Sequence, residues 1–179
     1  MTNDRDIRNL ALIGFMGTGK STVGRFVADH LQFELLDTDA LIEAHVGKTI
    51  TEIFRDDGET AFRELERATV RELAARSKLV IATGGGLPVF FDNLAVLKTC
   101  ALTVCLWASP ETIYERVREH THRPLLQDPD PLAKIRSLLA KREPFYRQAD
   151  VLINIEMRSI REVATQVLHQ FHSARATSR

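Results

Sequence analysis

The sequence predicts an α/β fold with a central parallel sheet, and two observations support this prediction. Five short apolar runs lack the alternating polar residues of a half-exposed strand, as expected of parallel strands that are buried on both faces. These runs are Leu10–Ile13, Phe33–Leu36, Leu79–Ala82, Ala101–Trp107 and Val151–Ile155. Segments whose apolar residues recur at helical spacing separate the runs, and this alternation favours right-handed crossovers.

The helices are predicted, in chain order, from apolar faces and from helix start signals. The faces consist of Val23, Phe26, Val27, His30 and Leu31, then of Phe62, Leu65, Thr69 and Leu73, and last of Ile160, Val163, Ala164, Val167, Leu168 and Phe171. Helix starts are indicated by capping boxes at Thr49 with Glu52 and at Ser159 with Glu162, and by Ser109 before Pro110. Strand and helix signals therefore alternate along the whole chain.

Length and composition limit the possible functions. The 179 residues suffice for one domain with its own core, and we expect a single domain over residues 1–179 with a frayed tail at about 173–179. The 24 basic and 24 acidic residues give zero formal net charge, which disfavours nucleic acid and membrane surfaces as partners. No apolar stretch reaches the roughly 20 residues that span a bilayer, and no signal peptide is visible. We therefore expect a cytoplasmic monomer, in which Cys100 and Cys105 are buried thiols.

The stretch GFMGTGKS, at residues 14–21, predicts a phosphate-binding loop. It matches G-x-x-x-x-G-K-[ST] at every fixed position, and it lies between a predicted strand and a predicted helix. The backbone N–H groups expected around the phosphates are those of Gly17, Thr18, Gly19, Lys20, Ser21 and Thr22. Lys20 would reach the β- and γ-phosphates of a nucleotide, and Ser21 would bind Mg²⁺. The alternative is a glycine-rich turn that binds nothing.

Two further clusters follow the second and third predicted strands. Asp37 and Asp39 come after the second strand, and Gly84, Gly85 and Gly86 come after the third. Ligands of open α/β sheets bind at this carboxyl edge. One carboxylate would lie near Mg²⁺ and the other near an acceptor hydroxyl, while the glycines would expose N–H groups to a ligand. The alternatives are that Asp39 caps the next helix and that the glycines form a flexible turn.

Three arginines are candidates for binding carboxylate or phosphate, because the guanidinium group suits bidentate contacts with either. Arg63 lies in GETAFRELE, Arg142 in AKREPFYR, and Arg123 in THRPLLQDPDP, whose three prolines predict a mobile loop. From spacing alone, a solvated surface charge remains the alternative for each of them.

Together these stretches resemble the shikimate kinase family. The matching stretches are GFMGTGKSTVGR, LLDTD, IFRDDGETAFRELE, TGGG, RPLL and KREPFYRQAD, in the family's order and spacing from Leu10 to about Phe171. The phosphate-binding loop alone is common to many NTPases, whereas the whole set is specific. The resemblance implies a P-loop kinase fold with sheet order 2-3-1-4-5, a shikimate-binding part at about 37–65 and a mobile lid at about 120–131. It also implies transfer of the γ-phosphoryl group of ATP to the 3-hydroxyl of shikimate, with Mg²⁺.

The resemblance also implies roles for individual residues. The implied catalytic residues are Lys20, Asp39 and Arg123, the last of which belongs to the lid, and Asp37 would join Ser21 near Mg²⁺. The implied shikimate-binding residues are Asp39, Phe54, Phe62, Arg63, Gly84, Gly85, Gly86 and Arg142. Within that set the two arginines and the N–H groups of Gly85 and Gly86 would hold the carboxylate, and the two phenylalanines would flank the ring. Arg116 would stack on adenine, with Arg158 near it.

Two other functions stay open at this point. A gluconate kinase or a nucleotide kinase would share the phosphate-binding loop, although not D-T-D together with G-G-G and both carboxylate arginines. An inactive nucleotide-binding regulatory domain would usually have lost the lysine, an aspartate or the lid arginine, and this chain keeps all of them. His120 and His122 are interpreted as part of a solvated loop rather than as metal ligands.

Overall fold

In a computed structural model, described over residues 5–118 and 128–177, the chain forms a five-stranded sheet flanked by helices. The strands are β1 Asn9–Ile13, β2 Glu34–Asp37, β3 Leu79–Ala82, β4 Ala101–Trp107 and β5 Val151–Asn154. Their order is β2-β3-β1-β4-β5, and every neighbouring pair is parallel. The predicted fold class and strand order are therefore confirmed, and the predicted strand ends differ from the observed ones by one residue at most.

The helices alternate with the strands along the chain, as expected from the sequence, and the last helix follows β5. They are α1 Lys20–Leu31, α2 Thr38–Val46, α3 Ile50–Asp56, α4 Gly58–Ala74, α5 Asn93–Cys100, α6 Pro110–Val117, α7 Pro131–Tyr146 and α8 Ile160–Thr177, with a short 3-10 helix at Leu87–Val89. The capping box predicted at Thr49 and Glu52 is present, and the Ser109 side chain caps α6 ahead of Pro110. Within the described residues, no helix has both the length and the apolar character needed to cross a membrane.

The C-terminal segment differs from its prediction, because α8 continues to Thr177 through most of the stretch that was expected to fray. Ala174 packs against the main apolar core, and the guanidinium of Arg175 lies 5.5 Å from the centroid of the Phe171 ring. These contacts attach the last turns to the core, and helices in proteins are stabilised mainly by such packing.

The core places one edge of the sheet at the centre of the candidate site. All five residues of β1 are buried, and β1 is the middle strand. Its Leu12 pairs with Ala82 of β3, and Ala82 pairs in turn with Asp37 of β2. The carboxyl ends of these three strands therefore lie side by side, so the segments that follow them meet at one edge.

Asp150, just before β5, attaches the N-terminal segment to the sheet. Its carboxylate accepts hydrogen bonds from Arg5 Nη1 at 2.9 Å, from Arg5 Nη2 at 2.7 Å and from the Thr103 hydroxyl at 2.7 Å. Burial raises the pKa of Asp150, but the hydrogen bonds from Arg5 and Thr103 outweigh it and lower the pKa to about 2, against an ordinary 3.8. The ionised form is thus stabilised by the fold.

Replacing Asp150 with asparagine is expected to lower the free energy of unfolding at pH 7 by about 1–2 kcal/mol, because the folded state favours the charged carboxylate. This contribution is complete above about pH 4 and is lost as the pH falls towards 2, through the folded pKa. Urea unfolding of wild type and Asp150→Asn between pH 7 and pH 3 measures it, with Asp29→Asn on the exposed face of α1 as the control. A difference in the free energy of unfolding that is as large at pH 3 as at pH 7 would contradict the lowered pKa of Asp150.

Candidate active site

The phosphate-binding loop joins β1 to α1 and requires glycine at specific positions. Gly17 and Gly19 have φ angles of 78° and 85°, in the left-handed region that L side chains rarely adopt. A Cβ on Gly17 would also lie 2.5 Å from Cγ1 of Val117. Gly19 is the N-cap of α1 and provides no side-chain cap, so the first N–H groups of the helix are available to an anion.

Lys20, the first residue of α1, lies at the base of this loop and is only 8% exposed. Its Nζ donates hydrogen bonds to the carbonyl oxygens of Gly14 at 2.9 Å and of Phe15 at 2.8 Å. The ammonium group is therefore held directly beneath the backbone that would surround the phosphates.

Ser21 and Asp37 are brought together, as predicted for a magnesium site. The Ser21 hydroxyl donates to Oδ2 of Asp37 at 2.8 Å, and Oδ1 of Asp37 accepts from the Asp39 backbone N–H at 3.1 Å. Asp37 is therefore the N-cap of α2, which excludes the alternative expectation that Asp39 caps this helix. The helix starts two residues earlier than that expectation required, which leaves the Asp39 side chain free of the cap.

The oxygen donors at this position fit Mg²⁺. Mg²⁺ prefers oxygen ligands and is usually held by one or two carboxylates plus substrate phosphates and water, rather than by a cage of protein ligands. Ser21 and Asp37 provide a hydroxyl and a carboxylate beside the phosphate-binding loop. In the part of the chain that the structure describes, no group of three or more His, Cys, Asp or Glu forms such a cage.

Asp39 is a half-buried residue whose carboxylate has one buried, unused oxygen. Among the described residues, its Oδ1 is buried and has no hydrogen-bond partner. Burial raises the pKa of Asp39, and the nearby Asp37 raises it further, whereas Lys20 lowers it. A Cβ on Gly84 would lie 2.4 Å from Oδ1, so Gly84 has to be glycine for the carboxylate to occupy this position. A buried acceptor without a partner is costly, and a ligand hydroxyl would satisfy it.

The glycine loop after β3 is fixed from two sides. The Gly84 N–H donates to the Thr38 hydroxyl at 2.9 Å, and the Tyr146 hydroxyl donates to the Gly85 carbonyl at 2.6 Å. Burial raises the pKa of Tyr146 to about 12, so the phenol keeps the proton that it donates. Because C=O and N–H point in opposite directions across a trans peptide, this contact turns the Gly86 N–H away from Tyr146.

Arg63 lies beside this loop with its guanidinium almost fully buried, at 10% side-chain exposure. Its Nη1 donates to Glu66 at 2.8 Å, and its Nη2 donates to Glu59 at 2.8 Å. Burial raises the pKa of Glu66, whereas the hydrogen bond from Arg63 lowers it. A Cβ on Gly86 would lie 2.7 Å from Nη1 of Arg63, so this glycine permits the close approach of the arginine.

Arg142 approaches the same loop from α7. Its guanidinium lies 5.4 Å from the centroid of the Phe15 ring, and its Nη1 would lie 3.4 Å from a Cβ on Gly85. The two arginines predicted to bind the carboxylate therefore lie beside neighbouring glycines. Phe54 and Phe62, predicted to flank the ring, pack against each other beside Arg63 with their centroids 4.9 Å apart.

Both arginines predicted near adenine lie close to the phosphate-binding loop. Arg116 lines the same cleft as the phosphate-binding loop, the two aspartates and Gly84. Arg116 and Arg158 together line an adjoining depression with Thr18 and Gly19, and Arg158 donates a hydrogen bond to Gln166. Both predicted residues are thus adjacent to the loop.

Arg123, His120, His122 and most of the predicted lid lie outside the described residues. The end of the predicted lid, at 128–131, is described: Asp130 caps α7 by accepting from the Ala133 N–H at 3.0 Å, and Pro131 is the first residue of that helix. The end of the predicted lid therefore includes the cap and the first residue of α7.

Five residues of the site received no role from the sequence: Thr38, Glu59, Glu66, Phe90 and Tyr146. The spacing of Glu59 and Glu66 from Arg63, at i−4 and i+3, could have identified both as its partners on one helix. The contacts of the other three, Thr38 with Gly84, Tyr146 with Gly85 and Phe90 with Arg63, join segments that are distant in the chain, so no local spacing indicates them.

The comparisons with known proteins agree with this geometry. A family model described as shikimate kinase matches residues 16–172. A curated shikimate kinase from Caldanaerobacter subterraneus subsp. tengcongensis is 43% identical over 165 residues, which cover 92% of this chain and 96% of that protein. The solved structure of a shikimate kinase from Acinetobacter baumannii in complex with shikimate is 39% identical, with a TM-score of 0.88, and covers 93% of this chain and 94% of that one.

A more distant comparison bears on the alternative of a gluconate kinase. The structure of a gluconokinase from Sinorhizobium meliloti has a TM-score of 0.62 and 18% identity, and covers 94% of each chain. At that identity the likeness shows a shared fold only. The family match and the identity to curated relatives over more than nine tenths of the sequence decide the classification: this chain belongs to the shikimate kinase family.

Proposed function

We propose that this protein transfers the γ-phosphoryl group of ATP to the 3-hydroxyl of shikimate, giving shikimate 3-phosphate and ADP. Membership of a family of small-molecule kinases supports this proposal. The observation that carries it is the arrangement around the glycine loop, where Asp39 lies beside Gly84 while Arg142 and Arg63 lie beside Gly85 and Gly86. An acceptor with a carboxylate at one end and hydroxyls at the other fits this arrangement.

Recognition of the carboxylate rests on Arg63 and Arg142. A planar carboxylate matches the paired N–H groups of a guanidinium, and such charge-assisted hydrogen bonds are stronger than neutral ones. The N–H groups of Gly85 and Gly86 would add donors, and the rings of Phe54 and Phe62 would pack against the carbon ring of the acceptor.

Removing either arginine is expected to weaken shikimate binding by about ten- to a hundredfold, because a hydrogen bond to a charged group contributes about 1.5–3 kcal/mol. Calorimetric titration of Arg63→Ala and Arg142→Ala with shikimate measures the loss, and titration with ATP is the control that should change little. Unchanged affinity for shikimate would exclude these arginines from the carboxylate site.

Asp39 would orient the acceptor hydroxyl and accept its proton. Phosphoryl transfer proceeds through a loose transition state, so the protein contributes mainly positioning and charge stabilisation. The raised pKa of Asp39, which has burial as its main cause, makes this carboxylate a stronger base than an ordinary aspartate. Its unpartnered Oδ1 is the atom that would receive the hydroxyl hydrogen bond.

The phosphates of ATP would occupy the loop above Lys20. The ammonium group, now bonded to the Gly14 and Phe15 carbonyls, would turn to the phosphate oxygens, which are stronger acceptors because they are charged. Ser21 and Asp37 would hold Mg²⁺, which when bound neutralises charge on the β- and γ-phosphates. Roles for Arg116, Arg158 and the lid residue Arg123 stay predictions, as do a cytoplasmic location and a monomeric state.

Acceptor discrimination tests the proposed function. Purified protein with ATP and Mg²⁺ is expected to release ADP rapidly with shikimate, and only at background rate with gluconate, with a nucleoside monophosphate or without an acceptor. Faster turnover with gluconate or a nucleoside monophosphate would show that shikimate is not the acceptor. No turnover with any acceptor, despite ATP binding, would favour a regulatory nucleotide-binding domain.

A further inference from the structure

Phe90 covers one face of the arginine that is proposed to bind the acceptor carboxylate. The guanidinium carbon of Arg63 lies 3.8 Å from the centroid of the Phe90 ring, compared with 5.2 Å for Phe62 and 5.9 Å for Phe54. Phe90 is therefore the closest of the three aromatic rings. Stacking at this distance combines cation–π attraction with exclusion of water from the face of the guanidinium.

The remaining contacts fix Arg63 within its own plane. Glu66 accepts from Nη1, and Glu59 accepts from both Nε and Nη2, so carboxylates occupy two sides of the planar group. Gly86 faces Nη1 and Nη2, where only a residue without a side chain fits. A guanidinium group has five N–H donors in one plane. The carboxylates contact the edges of that plane, and the Phe90 ring covers its face.

A short rigid turn carries both Gly86 and Phe90. The Val89 N–H donates to the Gly86 carbonyl at 2.9 Å, which closes the 3-10 helix between them. The buried side chain of Asn93 donates to the Leu87 carbonyl at 3.1 Å and attaches this turn to α5. The turn therefore presents Gly86 at the edge of the guanidinium and the Phe90 ring at its face.

We propose that Phe90 is a positioning residue for the acceptor: it holds the Arg63 guanidinium in the orientation that binds the carboxylate of shikimate. This inference rests on the proposed function. An arginine left free to rotate would lose side-chain entropy on binding, whereas one already held by stacking would lose little, and this preorganisation increases affinity. Phe90 acts through Arg63, so it affects binding of the acceptor and not the reacting atoms.

The next residue provides a matched control. Phe91 is 52% exposed, and its ring stacks at 4.9 Å on Arg67, one turn further along α4. Arg67 lies outside the cleft, and its ion-pair partner is Glu64 on the same helix. The same substitution at Phe91 thus removes a similar aromatic contact with an arginine that has no part in the proposed site.

The test compares Phe90→Leu with Phe91→Leu and with Phe90→Tyr. Leucine keeps an apolar side chain but removes the aromatic face, so Phe90→Leu is expected to raise KM for shikimate by about two- to tenfold, from the cost of ordering one long side chain. The kcat, the KM for ATP and the melting temperature should stay close to wild type. Phe91→Leu should leave all four values unchanged. Phe90→Tyr keeps the aromatic face and should have the wild-type KM for shikimate.

A double substitution shows whether Phe90 acts through Arg63. In an Arg63→Lys background, measured by calorimetric titration with shikimate, Phe90→Leu is expected to cause little further loss, because the planar group that it orients is gone. An undiminished further loss, or an unchanged KM in Phe90→Leu itself, would overturn the proposal while leaving shikimate as the substrate. A wild-type protein that fails to phosphorylate shikimate would instead overturn the proposed function, and this inference with it.

Discussion

Lys20→Ala is expected to reduce kcat by roughly 10²- to 10³-fold, with little change in the fold. The charge on the transferred group is spread over its equatorial oxygens in the transition state, and a buried ammonium beside them stabilises that state more than the bound substrate. Lys20 is 8% exposed and is held at the base of the loop by the Gly14 and Phe15 carbonyls, so its charge is already desolvated. A coupled assay of ADP release gives kcat, and circular dichroism gives the melting temperature.

The control for this prediction is Lys141→Ala, which removes an exposed lysine of α7 and should leave kcat unchanged. A Lys20→Ala protein that folds and retains more than about a tenth of wild-type kcat would contradict the role assigned to Lys20. Loss of the fold in this variant would indicate that the two carbonyls need the ammonium for stability, and Lys20→Met would then separate side-chain volume from charge.

Asp39→Asn is expected to retain nucleotide binding and to lose phosphoryl transfer by roughly 10²- to 10⁴-fold, the usual contribution of a positioned general base. Asparagine has nearly the same shape, so it fits against Gly84, but its amide does not accept the proton of the acceptor hydroxyl. Calorimetric titration with ATP tests binding, and the coupled assay tests transfer. A variant with near wild-type kcat would remove Asp39 from the catalytic residues.

The pH dependence follows from the same residue. Burial raises the pKa of Asp39 above its ordinary 3.8, and a base works only when it is deprotonated. In wild type, kcat is therefore expected to fall as the pH decreases through this raised pKa, and the fall should begin at a higher pH than an exposed aspartate would give. The residual activity of Asp39→Asn should not show this fall. Acid denaturation would lower the activity of both proteins alike, so a fall in wild type alone would identify Asp39 as its cause.

The sequence was sufficient for most of the fold because its signals are local. Continuous apolar runs mark strands buried on both faces, and the strand ends position the phosphate-binding loop, Asp37 and the three glycines at one edge. The start of α2 is not decided by the sequence, since D-T-D offers two aspartates that can each cap a helix, and only tertiary structure shows that Asp37 does so. The end of α8 depends on packing of Ala174 and Arg175, which composition does not indicate.

The candidate site was predicted less completely. Local patterns indicated the phosphate-binding loop, whereas the pairing of Arg63 with Arg142 came from the family resemblance. The contacts of Tyr146 with Gly85 and of Phe90 with Arg63 bring together segments from different parts of the chain. Such contacts depend on the course of the backbone in three dimensions, so the periodicity and spacing of residues in the sequence do not predict them.

A crystal structure of the protein with shikimate, ADP and Mg²⁺ tests the central claim most directly. We expect the shikimate carboxylate between the guanidinium groups of Arg63 and Arg142, and a ring hydroxyl within hydrogen-bond distance of Asp39 Oδ1, facing the phosphate-binding loop. Shikimate bound with its carboxylate towards Lys20, or bound away from the glycine loop, would contradict the account.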